Sequence, residues 1–441
     1  MRYLIDLKTH LGGIHQGKRL DMKVFSFFSV FTVFLLSCGC EKEESIVKRQ
    51  SDDMGVVIAT PYLWKKSLHI KEPMSNSLIK NQIIYNNNFV VPTTNGKEKR
   101  SLSLIDSNNG NVLWNWNDFF DGGSEYIDIS FHYQYENLLS YQSGASYCIN
   151  LNNGTTKWRH KRDRSFDVRI NGFGQYYFTY ATITNNNGFD EGIAFKGDMQ
   201  IGIIFEYLTP NFTYENPDWL RGVTHIVKVP NRENILLVNY VETSSEWINH
   251  PYYGLYDTVS EEWIWDKKRV ADPAYETYAY HPPIIANNKI YAAVSNKIVC
   301  HDLETGEQLW KRDFGGDFMF TGIIVEEGKV IANCEEINIM YALDAETGTQ
   351  LWSTPTAGTS SRLSYLNGVV YMVGGSGGGR LFAIEAATGK ILWKIDAGLL
   401  GEGKDARFTT NAVYVLPAKD DQPAKVIALS GLYAYCFEAI R

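Results

Sequence analysis

The sequence predicts an all-β protein made of repeated four-stranded antiparallel units. Aromatic residues make up 14% of the 441 residues and there are 37 glycines, which suits short strands joined by tight turns. A short motif that ends in tryptophan recurs at intervals of 41 to 45 residues, with four short apolar segments in each interval. Repeats of this kind are typical of a β-propeller, in which four-stranded blades surround a central channel.

The motif joins an acidic residue or Asn, a Gly four positions later and a Trp four positions after that. The acid or amide side chain can hydrogen-bond the turn, and Gly takes a positive φ at low cost. Because a single hairpin cannot bury its own Trp, the Trp is predicted to dock on the next blade. The tryptophans are Trp114, Trp158, Trp265, Trp310, Trp352 and Trp393, and the glycines are Gly110, Gly154, Gly306, Gly348 and Gly389.

The spacing of the motifs sets the number of blades. The interval of 107 residues between Trp158 and Trp265 holds two units, one of them degraded, with strands predicted at 166–170, 175–182, 192–195 and 202–208. The copy at residues 255–265 has Glu261 in place of Gly. The count is eight blades, with seven as the alternative.

The last unit, after Trp393, has no tryptophan of its own. We expect Trp64 to supply its outer strand from the amino-terminal side and so to close the ring. In the alternative arrangement, residues 432–437 fill that strand and the number of blades stays open.

Over about residues 60–441, the repeat resembles the tryptophan-docking repeat of the pyrroloquinoline-quinone (PQQ) propeller family. Catalytic members of that family hold quinone and calcium beneath an adjacent Cys-Cys disulfide, and this sequence has no adjacent cysteine pair. The resemblance therefore implies a protein that is not an enzyme, with no cofactor and no metal. A PQQ-dependent dehydrogenase is the weakest alternative. Cys148 and Cys300 stand at the small position of the motif, so the cysteines are expected to be buried core residues.

The amino-terminal sequence predicts that the protein is located in the cell envelope. Residues 1–37 are interpreted as an upstream segment and a signal peptide starting at Met22, because a basic start precedes a short apolar run. The following Leu35-Leu36-Ser37-Cys38 resembles the lipobox of bacterial lipoproteins, which implies a lipid on Cys38. An ordinary cleaved signal or a buried hydrophobic segment is the alternative. Residues 38–55 are then a tether and 56–441 a single propeller domain.

The predicted location is the outer membrane, with the protein lipid-anchored and either periplasmic or surface-exposed. The acidic residues at 41–44 resemble a surface-export signal. The formal charge of −8 becomes −11 without residues 1–37, which hold five basic and two acidic residues. Because nucleic-acid binding needs clustered Lys and Arg, no nucleic-acid partner is expected.

Loops that lead into the innermost strands should gather at one mouth of the channel. Four residues in or next to such loops are candidates for a binding mouth, although Arg362 and Arg407 could instead form ion pairs between blades: Asp317, Arg362, Arg407 and His281. The carboxylate pairs, such as Glu335-Glu336, are expected to be solvated turn residues.

The preferred interpretation is a scaffold that binds an envelope protein. The chain resembles the propeller lipoproteins of outer-membrane β-barrel assembly, which have eight blades, a lipobox and no quinone. The alternative is a surface lipoprotein that binds glycan or another small ligand. Its support is the acidic stretch and a set of aromatics expected to be exposed, namely Trp219, Trp247, Tyr252 and Tyr253.

Overall fold

Alternating apolar segments and tight turns produce 34 β-strands in the described part of the chain, with one short 3-10 helix at Ala397–Leu400. The predicted signal peptide, Cys38 and most of the predicted tether lie outside that part. A computed structural model describes residues 50–52, 55–57, 61–69, 82–94, 99–120, 131–142, 145–161, 171–173, 176–184, 190–202, 204–208, 220–273, 281–318, 322–376, 378–403 and 406–440.

Three amino-terminal strands precede four units, each of which has four strands, A to D, in chain order. The amino-terminal strands are β1 Gln50–Asp52, β2 Gly55–Val57 and β3 Trp64–Ser67. Blade 1 has β4 Ile84–Tyr85, β5 Asn88–Thr94, β6 Arg100–Ile105 and β7 Val112–Trp116. Blade 2 has β8 Phe131–Gln134, β9 Asn137–Gln142, β10 Ala145–Asn150 and β11 Thr156–Lys161. Blade 3 has β12 Asn171–Phe173, β13 Tyr176–Thr184, β14 Asp190–Asp198 and β15 Ile204–Leu208. Blade 4 has β16 Leu220–Lys228, β17 Ile235–Thr243, β18 Asn249–Asp257 and β19 Glu262–Arg269.

The second half of the chain repeats the same order. Blade 5 has β20 Ile284–Ala286, β21 Lys289–Val294, β22 Lys297–Asp302 and β23 Gln308–Asp313. Blade 6 has β24 Ile323–Glu326, β25 Lys329–Cys334, β26 Ile339–Asp344 and β27 Gln350–Pro355. Blade 7 has β28 Ser364–Leu366, β29 Val369–Gly374, β30 Arg380–Glu385 and β31 Ile391–Asp396. Blade 8 has β32 Tyr414–Leu416, β33 Lys425–Leu429 and β34 Tyr433–Glu438, and takes its fourth strand from β3.

The described strands form seven hydrogen-bonded sheets, one of which has eight strands. That sheet contains blades 3 and 4, which share a single parallel pairing, Glu191 with Arg221. The seven sheets therefore hold eight four-stranded units. A strands of neighbouring blades contact one another in several places, for example β20 with β24 and β28 with β32, which places them around the channel. The predicted fold, an all-β propeller of four-stranded antiparallel blades, is confirmed.

The ring closes through the amino-terminal strand. β3 pairs antiparallel with β34, with Trp64 opposite Cys436 and Ser67 opposite Tyr433. The tail strand Tyr433–Glu438 is therefore strand C of blade 8, and β3 is its outer strand D. Upstream, β1 and β2 form a hairpin whose second strand pairs in parallel with β31, with Val57 opposite Lys394. Part of the segment interpreted as a tether thus extends the sheet of blade 7.

Six of the seven predicted docking tryptophans donate Nε1–H to a backbone carbonyl in the C–D turn of the next blade. The seventh, Trp393, packs against blade 8, which has no C–D turn because β3 is its outer strand. The donor–acceptor distances are 3.0 Å for Trp64 to Ser107, 2.8 Å for Trp114 to Leu151, 2.8 Å for Trp158 to Met199, 3.1 Å for Trp265 to Leu303, 3.1 Å for Trp310 to Ala345 and 3.0 Å for Trp352 to Ala386. The same contact recurs from blade to blade, including across the closing junction between blades 8 and 1.

Glycine at the docking turn is required for two separate reasons. Gly110 has φ +72° and Gly154 has φ +69°, a left-handed backbone conformation that is strained in residues with a side chain. A Cβ on Gly110 would also lie 2.8 Å from Cε3 of Trp64, and one on Gly154 would lie 2.7 Å from Cδ2 of Trp114. Any other residue would therefore strain the turn and displace the indole.

The degraded third blade differs from the strands predicted for it. The A strand is described at Asn171–Phe173, and the strand predicted at 166–170 lies outside the described residues. Gly202, predicted to begin the last strand, instead ends a docking turn that starts at Asp198, and β15 begins at Ile204. Trp158 packs on Gly202, where a Cβ would lie 2.4 Å from Cδ2 of the indole. The turn keeps the acid and the glycine although its tryptophan is lost.

The junction between blades 3 and 4 lacks both halves of the docking pair. Glu206 stands four positions after Gly202, where other blades carry Trp, and Glu261 stands where blade 4 would carry Gly. Glu261 has φ +58°, so a residue with a full side chain occupies a left-handed position. The loss of the tryptophan removes the need for a bare glycine on the opposite side.

The cysteines of the described chain are buried free thiols, in agreement with small core residues: Cys148, Cys300, Cys334 and Cys436. Burial is the main cause that raises the pKa of Cys148, Cys300 and Cys436 to about 12. These thiols are therefore poor nucleophiles at neutral pH.

Replacing the closing tryptophan should destabilise the whole ring. We expect Trp64→Ala to lower the free energy of unfolding by about 2 to 4 kcal/mol, because it removes a half-buried indole and its hydrogen bond. Urea unfolding followed by circular dichroism measures the change. The matched control is Trp247→Ala, an exposed tryptophan that should cost less than about 0.5 kcal/mol. Equal unfolding midpoints for the two variants would contradict the closing role of Trp64.

Replacing Glu261, whose backbone is left-handed, by glycine should stabilise the protein, in contrast to the Trp64 variant. We expect Glu261→Gly to raise the free energy of unfolding by about 0.5 to 1.5 kcal/mol, because glycine adopts a positive φ without a Cβ clash. The control is Glu262→Gly, which places glycine in the extended strand β19 and should cost about 0.5 to 1 kcal/mol. A lower thermal midpoint for Glu261→Gly would show that the glutamate side chain makes a stabilising contact that outweighs the strain.

Candidate functional site

Antiparallel strands fix which loops share a face of the ring. The connectors from strand D to the next strand A lie on the same face as the B–C hairpins, and the C–D turns lie on the other face with the A–B hairpins. We call the first of these the mouth face. Three features on it are candidates for binding: the connector residues predicted from the sequence, a buried carboxylate beneath them, and an elongated hairpin in blade 4.

The structure brings two of the four predicted mouth residues together. Arg362, before strand A of blade 7, lies 3.3 Å from Nδ1 of His281 through its Nη2, although His281 precedes strand A of blade 5. Arg362 therefore reaches past blade 6, whose Gly322 faces the imidazole. Because a guanidinium only donates, Nδ1 must accept, and the proton of a neutral His281 sits on Nε2.

The other two predicted residues have different neighbours. The backbone N–H of Asp317 donates to Oε2 of Glu336 at 2.9 Å, which ties the connector between blades 5 and 6 to the B–C hairpin of blade 6. Arg407 is exposed and packs beside Gly379, where a Cβ would lie 2.8 Å from that of Arg407. The contact between Arg362 and His281 joins the loops before blades 5 and 7, whereas Asp317 and Arg407 are held next to hairpins of blades 6 and 7.

Glu335 corrects the expectation that the carboxylate pairs are solvated. Its side chain is 5% exposed and accepts hydrogen bonds from both the backbone N–H and the hydroxyl of Ser360, each at 2.9 Å. Asn333 donates to the same hydroxyl at 3.0 Å and to the carbonyl of Ala357 at 3.0 Å. This network fixes the connector that carries Arg362. Glu336 and the pair at 261–262 are not buried in this way.

The B–C hairpin of blade 4 is longer than those of blades 5 to 7. β17 and β18 have nine residues each, whereas β21, β25 and β29 have six. Three further residues on each strand extend the hairpin by roughly 10 Å. Trp247 lies at its tip, 63% exposed and with φ +63°. Ser244 and Ile248 are joined by a backbone hydrogen bond of 2.9 Å, and the N–H of Trp247 donates to Ser244 O at 2.9 Å, so the tip is held in place.

A polar network supports the base of this hairpin. Glu242 is fully buried with Oε2 3.9 Å from Nζ of Lys267, and the hydroxyl of Tyr240 donates to Oδ1 of Asp266 at 2.7 Å. Asp266 reaches Tyr240 across strand C because Gly254 leaves space there; a Cβ would lie 2.9 Å from Oδ1 of Asp266. Burial, followed by the Asp266 carboxylate, raises the pKa of Tyr240. The network joins the projecting hairpin to strand D of the same blade.

The aromatic residues proposed for ligand binding differ in solvent exposure. Tyr252 and Tyr253 are buried, so the expectation that they are exposed is wrong. Lys267 and Arg269 both lie over the ring of Tyr252, at 5.6 Å and 5.7 Å. Trp219 lies outside the described residues, which leaves Trp247 as the exposed tryptophan of that set.

Two features are expected of a quinone and calcium site. The sequence has no adjacent cysteine pair, and no three His, Cys, Asp or Glu side chains of the described chain come together as metal ligands. The helices of that same part include none that is long and apolar enough to cross a membrane.

Comparison with known proteins agrees with this architecture. The family model described as "Outer membrane protein assembly factor BamB" matches residues 260–397 and 338–432. No curated protein matches the chain. Among solved structures, BamB from Moraxella catarrhalis aligns with a TM-score of 0.54 at 12% identity, covering 86% of this chain and 98% of that one.

Two other similar structures show how widely the fold is used. The computationally designed Ika8 protein aligns with a TM-score of 0.55 at 11% identity, covering 86% of this chain and 100% of that one. The quinohemoprotein alcohol dehydrogenase ADHIIG from Pseudomonas putida HK5 aligns with a TM-score of 0.60 at 12% identity, covering 86% and 78%. At these identities the structural likenesses show the fold alone. The family model therefore supports a PQQ-like propeller repeat over residues 260–432, and the structural likenesses show the β-propeller fold.

Proposed function

We propose that this protein is a non-enzymatic, lipid-anchored scaffold of the cell envelope that binds another envelope protein through its mouth face. The family model that matches the chain carries the description of an outer-membrane assembly factor, which supports an envelope role. The lipobox-like sequence at Cys38 supports the anchor. The missing cysteine pair disfavours the dehydrogenase branch, whose members share only the fold with this chain.

The observation that carries the proposal is the exposed tryptophan at the tip of an ordered hairpin. Six tryptophans donate their indole N–H groups to backbone carbonyls in the docking turn of the next blade and serve to hold the ring together. Trp247 has no such use, lies 63% exposed and adopts a strained backbone conformation. Tryptophan is enriched among residues that dominate binding at protein interfaces, and strained residues concentrate at functional sites.

The hairpin and the connectors share the mouth face, so one partner can contact both. The hydrogen-bonded tip and the ion pair between Glu242 and Lys267 order the hairpin that carries Trp247, which lowers the cost of ordering it on binding. The connectors that carry Arg362 and His281 offer hydrogen-bonding groups on the same face. A preformed ring of this kind suits an extended segment or a loop of a partner protein.

The anchor predicts a specific effect of one cysteine. We expect Cys38→Ala to abolish labelling by a radioactive or clickable fatty acid and to move the protein out of the membrane fraction. Cys40→Ala, two positions away, should keep both labelling and fractionation. Loss of labelling in Cys40→Ala alone would place the lipid on Cys40 and contradict the prediction. Absence of labelling of the unmodified protein would refute the anchor.

The partner-binding role predicts where a crosslink forms. With a photo-reactive benzoylphenylalanine in place of Trp247, we expect irradiation of intact cells to give one dominant adduct with an envelope protein, identified by mass spectrometry. Val259 is the matched control, since it is 71% exposed in the C–D turn of the same blade, on the opposite face. The Trp247→Ala variant should remove co-purification of the same protein while keeping the circular dichroism spectrum. Equal adducts from positions 247 and 259, or none from 247, would refute the proposal.

A further inference from the structure

A cleft lies where the ring closes, on the face opposite the mouth. It has a volume of about 310 Å³ and is formed by the A–B hairpin of blade 1, the docking turn of blade 1 and the A–B hairpin of blade 8. We call it the closure cleft. Its lining residues are Asn86, Asn87, Asn88, Asp106, Asn108, Leu113, Lys419, Asp420 and Gln422.

The lining is polar and rich in amides rather than strongly charged. Four asparagines and one glutamine offer donors and acceptors side by side, which suits hydroxyl groups that both donate and accept. The charged residues of the lining are Lys419, Asp106 and Asp420, so a slight negative excess disfavours an anion. Leu113, 52% exposed, adds an apolar surface of the kind that the C–H face of a sugar ring covers.

The cleft is held in shape before any ligand arrives. Oδ1 of Asn88 accepts from the N–H of Ser107 at 3.3 Å, and Oδ1 of Asp106 accepts from the N–H of Asn108 at 2.8 Å. On the side of blade 8, Lys419 and Gln422 exchange two backbone hydrogen bonds, at 3.2 Å and 2.9 Å. A preformed cleft at the lower end of the usual range of ligand-site volumes, roughly 300 to 1,000 Å³, suits a short ligand.

We propose that the closure cleft binds a neutral saccharide of one or two rings and thereby bridges the first and last blades. The docking turn that forms its floor is the turn on which Trp64 rests, through the hydrogen bond from Nε1 to Ser107 O. A ligand held by both hairpins stabilises the closed ring, because binding to the folded state alone raises its stability. The site is independent of the mouth face and of any protein partner there.

Isothermal titration calorimetry of the purified full chain tests the proposal with two probes, N,N′-diacetylchitobiose and maltose. We expect at least one of them to bind saturably and to raise the thermal unfolding midpoint. The variant Asn86→Gly with Gln422→Ala should weaken that binding about tenfold or more. Glycine is chosen because Asn86 has φ +48°, a conformation that glycine keeps.

The matched control is Asn287→Gly, since Asn287 occupies the same left-handed position in the A–B hairpin of blade 5, with φ +50°. It should leave saccharide affinity unchanged. Absence of saturable binding by both probes at millimolar concentration would overturn the proposal, as would equal affinity of the double variant and Asn287→Gly. Stabilisation by calcium chloride alone, with no effect of either sugar, would assign the cleft to a cation and overturn it as well. The photo-crosslink at position 247 should be the same in all these variants, so the two proposals fail separately.

Discussion

The contact between an indole of one blade and a bare backbone position in the next is the interaction on which this ring depends. A buried tryptophan removes roughly 150 to 250 Å² from water, which corresponds to about 4 to 6 kcal/mol before entropy is counted. That gain is available only if the facing residue lacks a side chain, because a Cβ on Gly154 or Gly389 would lie 2.7 Å or 2.5 Å from an indole carbon. The turn geometry demands the same residue, since both glycines have positive φ. One constraint thus fixes the shape of the turn and the spacing of the blades.

The docking contact also explains which strands could be predicted. In blade 6 the motif marks strands C and D, because β26 ends at Asp344 and β27 carries Trp352. The turn at Asp198–Gly202 was not predicted because Glu206 stands in place of its tryptophan, although the acid and the glycine keep their spacing of four residues. Either half of the pair is informative alone: Trp64 predicted the closing strand without a glycine of its own.

The candidate sites were less predictable because they depend on contacts between distant blades. Arg362 and His281 could each be placed near the mouth, but their contact passes over blade 6 and depends on the size of the residue at Gly322. The burial of Glu335 follows from the connector that covers it, and nothing in a pair of glutamates distinguishes it from Glu336. Tyr252 and Tyr253 alternate along one strand, and both are buried since blade 4 packs on both of its faces.

Closure by β3 has a consequence for how the chain acquires its fold. The strand at Trp64 and the strand at Tyr433 come from the two ends of the propeller sequence, so their pairing is the contact of longest range in the ring. Contacts of long range form late, because the entropy of bringing the ends together must be met first. Until then the outer edge of β34 offers unpaired backbone groups to any neighbouring chain. The last pairing to form is therefore also the one that covers the exposed strand edge of the newly made protein and protects it from aggregation.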